Sequence, residues 1–140
     1  MKPTLQPGLR HTLDFVVPAA KTTACLYPES HEFVALPPVL ATGYLVGLLE
    51  WACMRALDGH LDPHEQTLGT HVAVSHAAAT PPGFAVRASV ELVEVDGRRL
   101  VFEVLAHDGV DEISRGRHER CVIDRARFDA RLRAKAAAPR

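Results

Sequence analysis

From Val39 to Leu57 the chain carries only two charged side chains, Glu50 and Arg55. Pro38 and Thr42 suit the first turn of a helix, and Gly59 after Leu57-Asp58 suits its end. The predicted helix starts between Pro38 and Thr42 and, at about 1.5 Å per residue, is roughly 25–30 Å long. Leu45, Leu48, Leu49, Trp51, Ala52, Met54 and Leu57 fall on every side of it. A helix apolar all round is buried, so the rest of the chain has to be arranged about this segment.

Most of that remainder reads as strands. His11 to Val17 alternates loosely and ends at Pro18, whereas Lys21 to Pro38 is irregular, with room for a helical turn near Glu29 to Val34. After a polar loop, His60 to Thr67, come Gly69 to Ala78 and then the turn Pro81-Pro82-Gly83. Phe84 to Val95 alternates, Asp96-Gly97 is a hairpin signal, and Arg98 to His107 alternates again. Asp108-Gly109 marks another turn before a long last strand, Val110 to Ile123, and Asp124 to Ala138 has helical composition. No repeat or low-complexity linker interrupts this pattern. One buried helix plus antiparallel strands with one apolar face packs only if the sheet wraps the helix. The expected class is α+β, in the hot-dog arrangement. Such a sheet exposes edge strands, which predicts a homodimer formed through an edge. A length of 140 residues suits a single domain over 1–140, with a short irregular N-terminus to about residue 10 and a basic C-terminal helix or tail from about 124.

Composition narrows the function classes. Apolar residues make up 47% and charged residues 24%, with a net charge of −1, so neither a nucleic acid nor an anionic membrane is an expected partner. Met1 to Phe15 has no apolar core of signal-peptide type. The apolar stretch Val39 to Leu49 falls short of the about 20 residues that span a bilayer. A soluble cytoplasmic protein is the expectation. Cys25, Cys53 and Cys121 are odd in number, widely spaced and without a C-x-x-C pair. Reduced thiols fit best, as small buried hydrophobes, with a nucleophile as the alternative. There is no phosphate loop and no G-x-S-x-G elbow. His60 and His64 are separated by Pro63 and no third ligand is evident, so no metal is expected.

Glu50 is the residue that physics singles out. A carboxylate in the middle of a buried helix needs a partner, and Arg55, five residues on, is not at helical contact spacing. The structural alternative is an ion pair or a locally exposed position. His76 is the candidate partner: Val72, Val74 and His76 share one strand parity, which points His76 at the helix. A histidine held by a carboxylate gains a fixed tautomer and the basicity of a general base; a core histidine bonded to backbone is the alternative. Thr42 supplies a hydroxyl at the helix start, where an N-cap role is the plain reading. Backbone N–H groups there, Gly43 included, make a ready oxyanion site. Gly69 lets backbone approach a ligand, or simply serves a turn. Gly116, His118 and Arg120 share a face of the last strand, for which a solvated charged face is the ordinary explanation. The arginine-rich tail reads as a solvated helix, with coenzyme A phosphates as the alternative contact.

The stretches DFVVP, LYPES, ATGYLVGLLEWACMRAL, SHAAATPPG, AHDGVDEI and GRHERCVI resemble the fluoroacetyl-CoA thioesterases, colinearly from about Leu13 to Phe128. The resemblance implies the hot-dog fold and hydrolysis by a Thr–His–Glu constellation, which falls on Thr42, His76 and Glu50. It also implies that Gly69 touches substrate and that Arg120 lies near the fluoroacetyl group. The family's selective members carry two phenylalanines in a lid before the helix; this chain has Phe33 and, at the second place, Leu36. The implied substrate is an acyl-CoA, with coenzyme A part of the substrate and no separate cofactor. The implied role is detoxification of fluoroacetate. The alternatives are a hot-dog enzyme without fluorine selectivity, either a broad short-chain thioesterase or a hydratase, and a non-catalytic acyl-CoA binding protein.

Overall fold

Alternating apolar residues build a curled sheet around one helix. A computed structural model of the protein describes all 140 residues, Met1–Arg140. In chain order the elements are β1 (Arg10–Val16), a 3-10 turn (Ala19–Lys21), α1 (Thr23–Leu26), α2 (His31–Val34), α3 (Thr42–Ala56), β2 (Glu65–Val74), β3 (Ala85–Asp96), β4 (Arg99–His107), β5 (Glu112–Asp124) and α4 (Arg125–Ala137). The strands pair antiparallel in the order β1-β3-β4-β5-β2. Val86, Ala88, Val90 and Leu92 of β3, with Leu100, Phe102, Val104 and Ala106 of β4, form the buried face. They meet Leu45, Leu48, Leu49, Ala52, Cys53 and Ala56 of α3. Burying each large side chain of this set fully contributes about 1.5–3 kcal/mol. Register shifts after Leu92, Ala106 and Gly69 add local twist that helps the sheet curl, giving the expected hot-dog arrangement.

Several local expectations shift. The β3–β4 hairpin turns on Gly97-Arg98 rather than Asp96-Gly97, since Asp96 pairs with Arg99 and Gly97 takes φ +55°. Glycine first in the turn suits the type II′ geometry that matches strand twist. The helix is not buried all round: Trp51 and Met54 keep 40% and 43% of their surface exposed. The sheet covers one side of α3 and leaves the other open. β2 covers Glu65–Val74 rather than Gly69–Ala78, because Glu65 already pairs with Asp124 of β5. His76 therefore lies just beyond the strand, and Val72 on the sheet edge is 44% exposed.

Candidate active site

Ala41, not Thr42, is the N-cap of α3, and the first intrahelical bond runs from Leu45 N–H to the Ala41 carbonyl at 2.9 Å. Thr42 is the first helical residue and its hydroxyl makes no cap. It lies 2.7 Å from His76 Nδ1 instead. The N–H groups of Thr42, Gly43 and Tyr44 precede the first helical bond, so the positive end of the helix opens beside this pair.

The segment carrying His76 is fixed from two sides. Ser75 N–H donates to the Arg115 carbonyl at 3.0 Å and Ala77 N–H to the Ile113 carbonyl at 2.8 Å. Leu40 N–H, one residue ahead of the helix cap, donates to the Thr80 carbonyl at 2.8 Å. The buried Thr80 hydroxyl in turn donates to Asp108 Oδ2 at 2.8 Å. Burial alone would raise the Asp108 carboxyl, but the N–H groups of Asp111 and Val110 and the Thr80 hydroxyl hold it below its ordinary value. Burial lowers the pKa of His76 and outweighs the Ala78 backbone beside the ring, which acts the other way, so the ring stays neutral at pH 7. Its second nitrogen, Nε2, is buried and has no partner within the chain.

Glu50 makes a different cluster. It stands eight residues beyond Thr42 on the same helix, about 12 Å along the axis, and within one chain it does not hold His76. The expected pairing is replaced by Arg120, whose Nη1 donates to Glu50 Oε1 at 3.1 Å. Arg55 pairs with Asp58 instead, at 3.8 Å. Arg120 is 3% exposed and donates from Nε to Thr67 Oγ1 and from Nη2 to the Thr67 carbonyl, both at 2.8 Å. His118, also buried, completes the group with Nε2 3.1 Å from Arg120 Nη1. The charged-surface reading of Gly116, His118 and Arg120 is thus overturned. The signal against it lies in the sequence, since Val122 shares their strand parity and is buried with His118 and Arg120.

Gly69 pairs with Arg120 across β2 and β5. A Cβ at Gly69 would collide with Glu50 Oε1 and come within 3.1 Å of His118 Cε1. Glycine is what lets the Glu50 carboxylate lie against the strand. Glu50, Gly69, Arg120, Met54, Gln66 and Leu68 line part of a cleft of about 520 Å³.

Phe33 lies in α2, capped by Ser30, whose hydroxyl accepts from Phe33 N–H at 3.2 Å. Its ring packs on Tyr27 with centroids 5.7 Å apart. Leu36 follows α2 and is 47% exposed. The segment closes on the helix start: Ala41 N–H donates to the Lys21 carbonyl at 3.1 Å, and Thr23 Oγ1 to the Pro37 carbonyl at 2.6 Å. Gly43 belongs to the same closure, because a Cβ there would meet the Leu26 methyl groups at 3.2 Å. Cys53 faces the Glu50–Arg120 cluster from the core, and burial, opposed by Arg120, pushes its thiol up to about 12. A thiol that stays protonated is no nucleophile.

The comparisons with known proteins match this architecture. Residues 21–126 match the family model described as fluoroacetyl-CoA-specific thioesterase. A fluoroacetyl-CoA thioesterase of Streptantibioticus cattleyicolor is 55% identical over 135 residues, covering 96% of this chain and 97% of that protein. A solved fluoroacetyl-CoA thioesterase variant in complex with fluoroacetate superposes with TM-score 0.91 at 53% identity, over 96% of this chain and all of that one. A thioesterase superfamily member from Thermus thermophilus superposes with TM-score 0.86 at 26% identity, over 97% and 96% of the two chains. With a hydroxyl–imidazole pair at a helix N-terminus, inside a sheet wrapped around that helix, and with relatives this similar over nearly its full length, the chain belongs to the fluoroacetyl-CoA-specific thioesterase family.

Proposed function

We propose that this chain hydrolyses fluoroacetyl-CoA to fluoroacetate and coenzyme A, with Thr42, His76 and Glu50 as its catalytic groups. The observation that carries the reading is the 2.7 Å contact between Thr42 Oγ1 and a neutral His76 at the start of α3. The thioester carbonyl oxygen sits at the N–H groups of the first helical turn, Gly43 among them, where the helix dipole favours a developing negative charge. The Thr42 hydroxyl gives its proton to His76 Nδ1 as Oγ1 bonds to the carbonyl carbon. Collapse of the tetrahedral species breaks the C–S bond. The coenzyme A sulfur takes the proton back from His76, and the acyl group is left on Thr42. Water, deprotonated by the same ring, then attacks this ester, and Thr42 recovers its proton as fluoroacetate leaves. Fluorine withdraws electrons from the carbonyl and favours attack by the modest nucleophile that threonine is. Gly69 and Arg120 bound the acyl group, and Phe33 and Leu36 cover it.

The same reading requires a homodimer. A protonated Nε2 on His76 needs an acceptor, the atom makes no hydrogen bond within the chain, and Glu50 stands about 12 Å beyond Thr42 along α3. The edge strand β2 and the open side of α3, with Trp51 and Met54, give a second copy a place to pack, so that each site takes Thr42 and His76 from one subunit and Glu50 from the other. A cytoplasmic enzyme that removes fluoroacetyl-CoA before it enters central metabolism is the matching biological role, namely detoxification.

The test is kcat/KM for fluoroacetyl-CoA and acetyl-CoA side by side, following free coenzyme A, with mass spectrometry of the protein caught during turnover. Preferred hydrolysis of the fluorinated substrate, with a fluoroacetyl group found on Thr42, supports the proposal. Equal turnover of both substrates makes this a broad short-chain thioesterase. Tight binding without thiol release makes it an acyl-CoA binding protein.

A further inference from the structure

We propose that His118 is a positioning residue, a neutral imidazole locked in one tautomer that orients Arg120 and through it the Glu50 carboxylate. The tautomer follows from what surrounds the ring. Nδ1 lies 2.8 Å from the His71 carbonyl, which can only accept, so Nδ1 carries the hydrogen. Nε2 lies 3.1 Å from Arg120 Nη1, and a guanidinium can only donate, so Nε2 offers its lone pair. The ring is 3% exposed, on β5 between Val72 of β2 and Phe102 of β4.

Arg120 is held on three sides by four bonds. Thr67 takes Nε–H and one Nη2–H, Glu50 takes one Nη1–H, and His118 takes the other. The His118 lone pair, with the two bonds to Thr67, fixes the plane of the rigid guanidinium fork, and with it the direction in which the remaining Nη1–H presents to Glu50. Protonating the ring would turn an N–H toward the guanidinium and break this link. The groups that bear on the titration are Arg120 and Glu50, whose Oε1 lies 3.8 Å from Nε2, together with Glu119 beside it on β5. Burial, the largest effect, opposes protonation, and so does Arg120.

The inference rests on the reading that Glu50 and Arg120 belong to the active site, and the experiment separates the two. His118→Gln places an amide oxygen near Nε2 and keeps an acceptor for Arg120. His118→Asn places an amide N–H near Nδ1 and keeps only the bond to the His71 carbonyl. For fluoroacetyl-CoA, His118→Asn is expected to lose about 10–100-fold in kcat/KM, the loss that follows when the partner orienting a site group is removed. His118→Gln should recover most of that loss at a similar melting temperature. Nitrogen-15 spectra of the wild-type imidazoles should show the Nδ1–H tautomer for His118, still neutral at a pH where exposed histidines are protonated. Equal activity of the two variants, an Nε2–H tautomer or a charged ring at neutral pH would each overturn the proposal. The spectra need no substrate and no folded variant. A wild-type protein that releases no thiol would sink the thioesterase reading and leave the tautomer to decide whether His118 holds Arg120.

Discussion

The Thr42 hydroxyl lies 2.7 Å from His76 Nδ1, although 34 residues separate the two in the chain. The bond joins the first turn of α3 to the segment beyond β2, and both are set by backbone hydrogen bonds rather than by the pair itself. Replacing His76 with Ala should therefore leave the fold intact while kcat falls by about 10²–10⁴-fold, the range lost with a general base. Circular dichroism and a coenzyme A release assay on the same sample check both halves.

Acid should inactivate the enzyme before it unfolds it. As the proposed base, His76 has to be neutral to accept the Thr42 proton, and burial holds its pKa below the ordinary 6.5. The kcat/KM profile should rise with pH along an acid limb centred below 6.5 and then level off. Stability follows the same sign: below 6.5 the unfolded chain binds more protons than the folded one at His76 and His118, so folding weakens as pH falls. An acid limb centred above 6.5 would count against His76 as the base.

If each site takes Thr42 and His76 from one subunit and Glu50 from the other, inactive variants should rescue one another. Thr42→Ala and Glu50→Gln homodimers, unfolded together and refolded at equal concentration, should recover about a quarter of wild-type activity, since half the dimers are mixed and each carries one intact site. No recovery from a demonstrably mixed dimer would confine the site to one subunit.

Two glycines on the β2–β5 seam should respond differently to alanine. At Gly69 the new methyl meets the end of the flexible Glu50 side chain, whereas at Gly116 it meets the Ala73 carbonyl and, at 2.8 Å, Val74 Cα. Gly69→Ala should cost about 1–3 kcal/mol, as overpacking usually does, and remove most activity by displacing Glu50 from Arg120. Gly116→Ala has only backbone to push and should destabilise more. Thermal denaturation ranks them, and the reverse order would mean that Glu50 cannot yield.

Leu36, 47% exposed after α2, stands where the resemblance to the fluoroacetyl-CoA thioesterases implies the second residue of a lid. Leu36→Phe should change stability by less than about 0.5 kcal/mol, as exposed substitutions do. It should raise the kcat/KM ratio of fluoroacetyl-CoA to acetyl-CoA. A ratio unchanged from wild type would show that the ring is dispensable for selectivity here.

The alternation of Val86 to Leu92 and of Leu100 to Ala106, the turn glycines and the nearly uncharged run before Leu57 determine the wrapped sheet and its helix, because periodicity and turn chemistry act over a few residues. Thr42, Gly43, Glu50, Gly69 and His76 were legible as candidates in the residue pattern, and Arg120 only through the family resemblance. Their grouping was not. Periodicity along β2 gave His76 its direction but not its partner, and it placed Val72 in a core that the sheet edge leaves open. Which carboxylate meets which cation depends on strand register and on an eight-residue separation along one helix. Only the folded chain shows Glu50 drawn to Arg120, His118 buried beside them, and His76 Nε2 left without an acceptor. Burial makes such pairings strong and specific, and burial is a property of the packed sheet rather than of any local stretch of sequence.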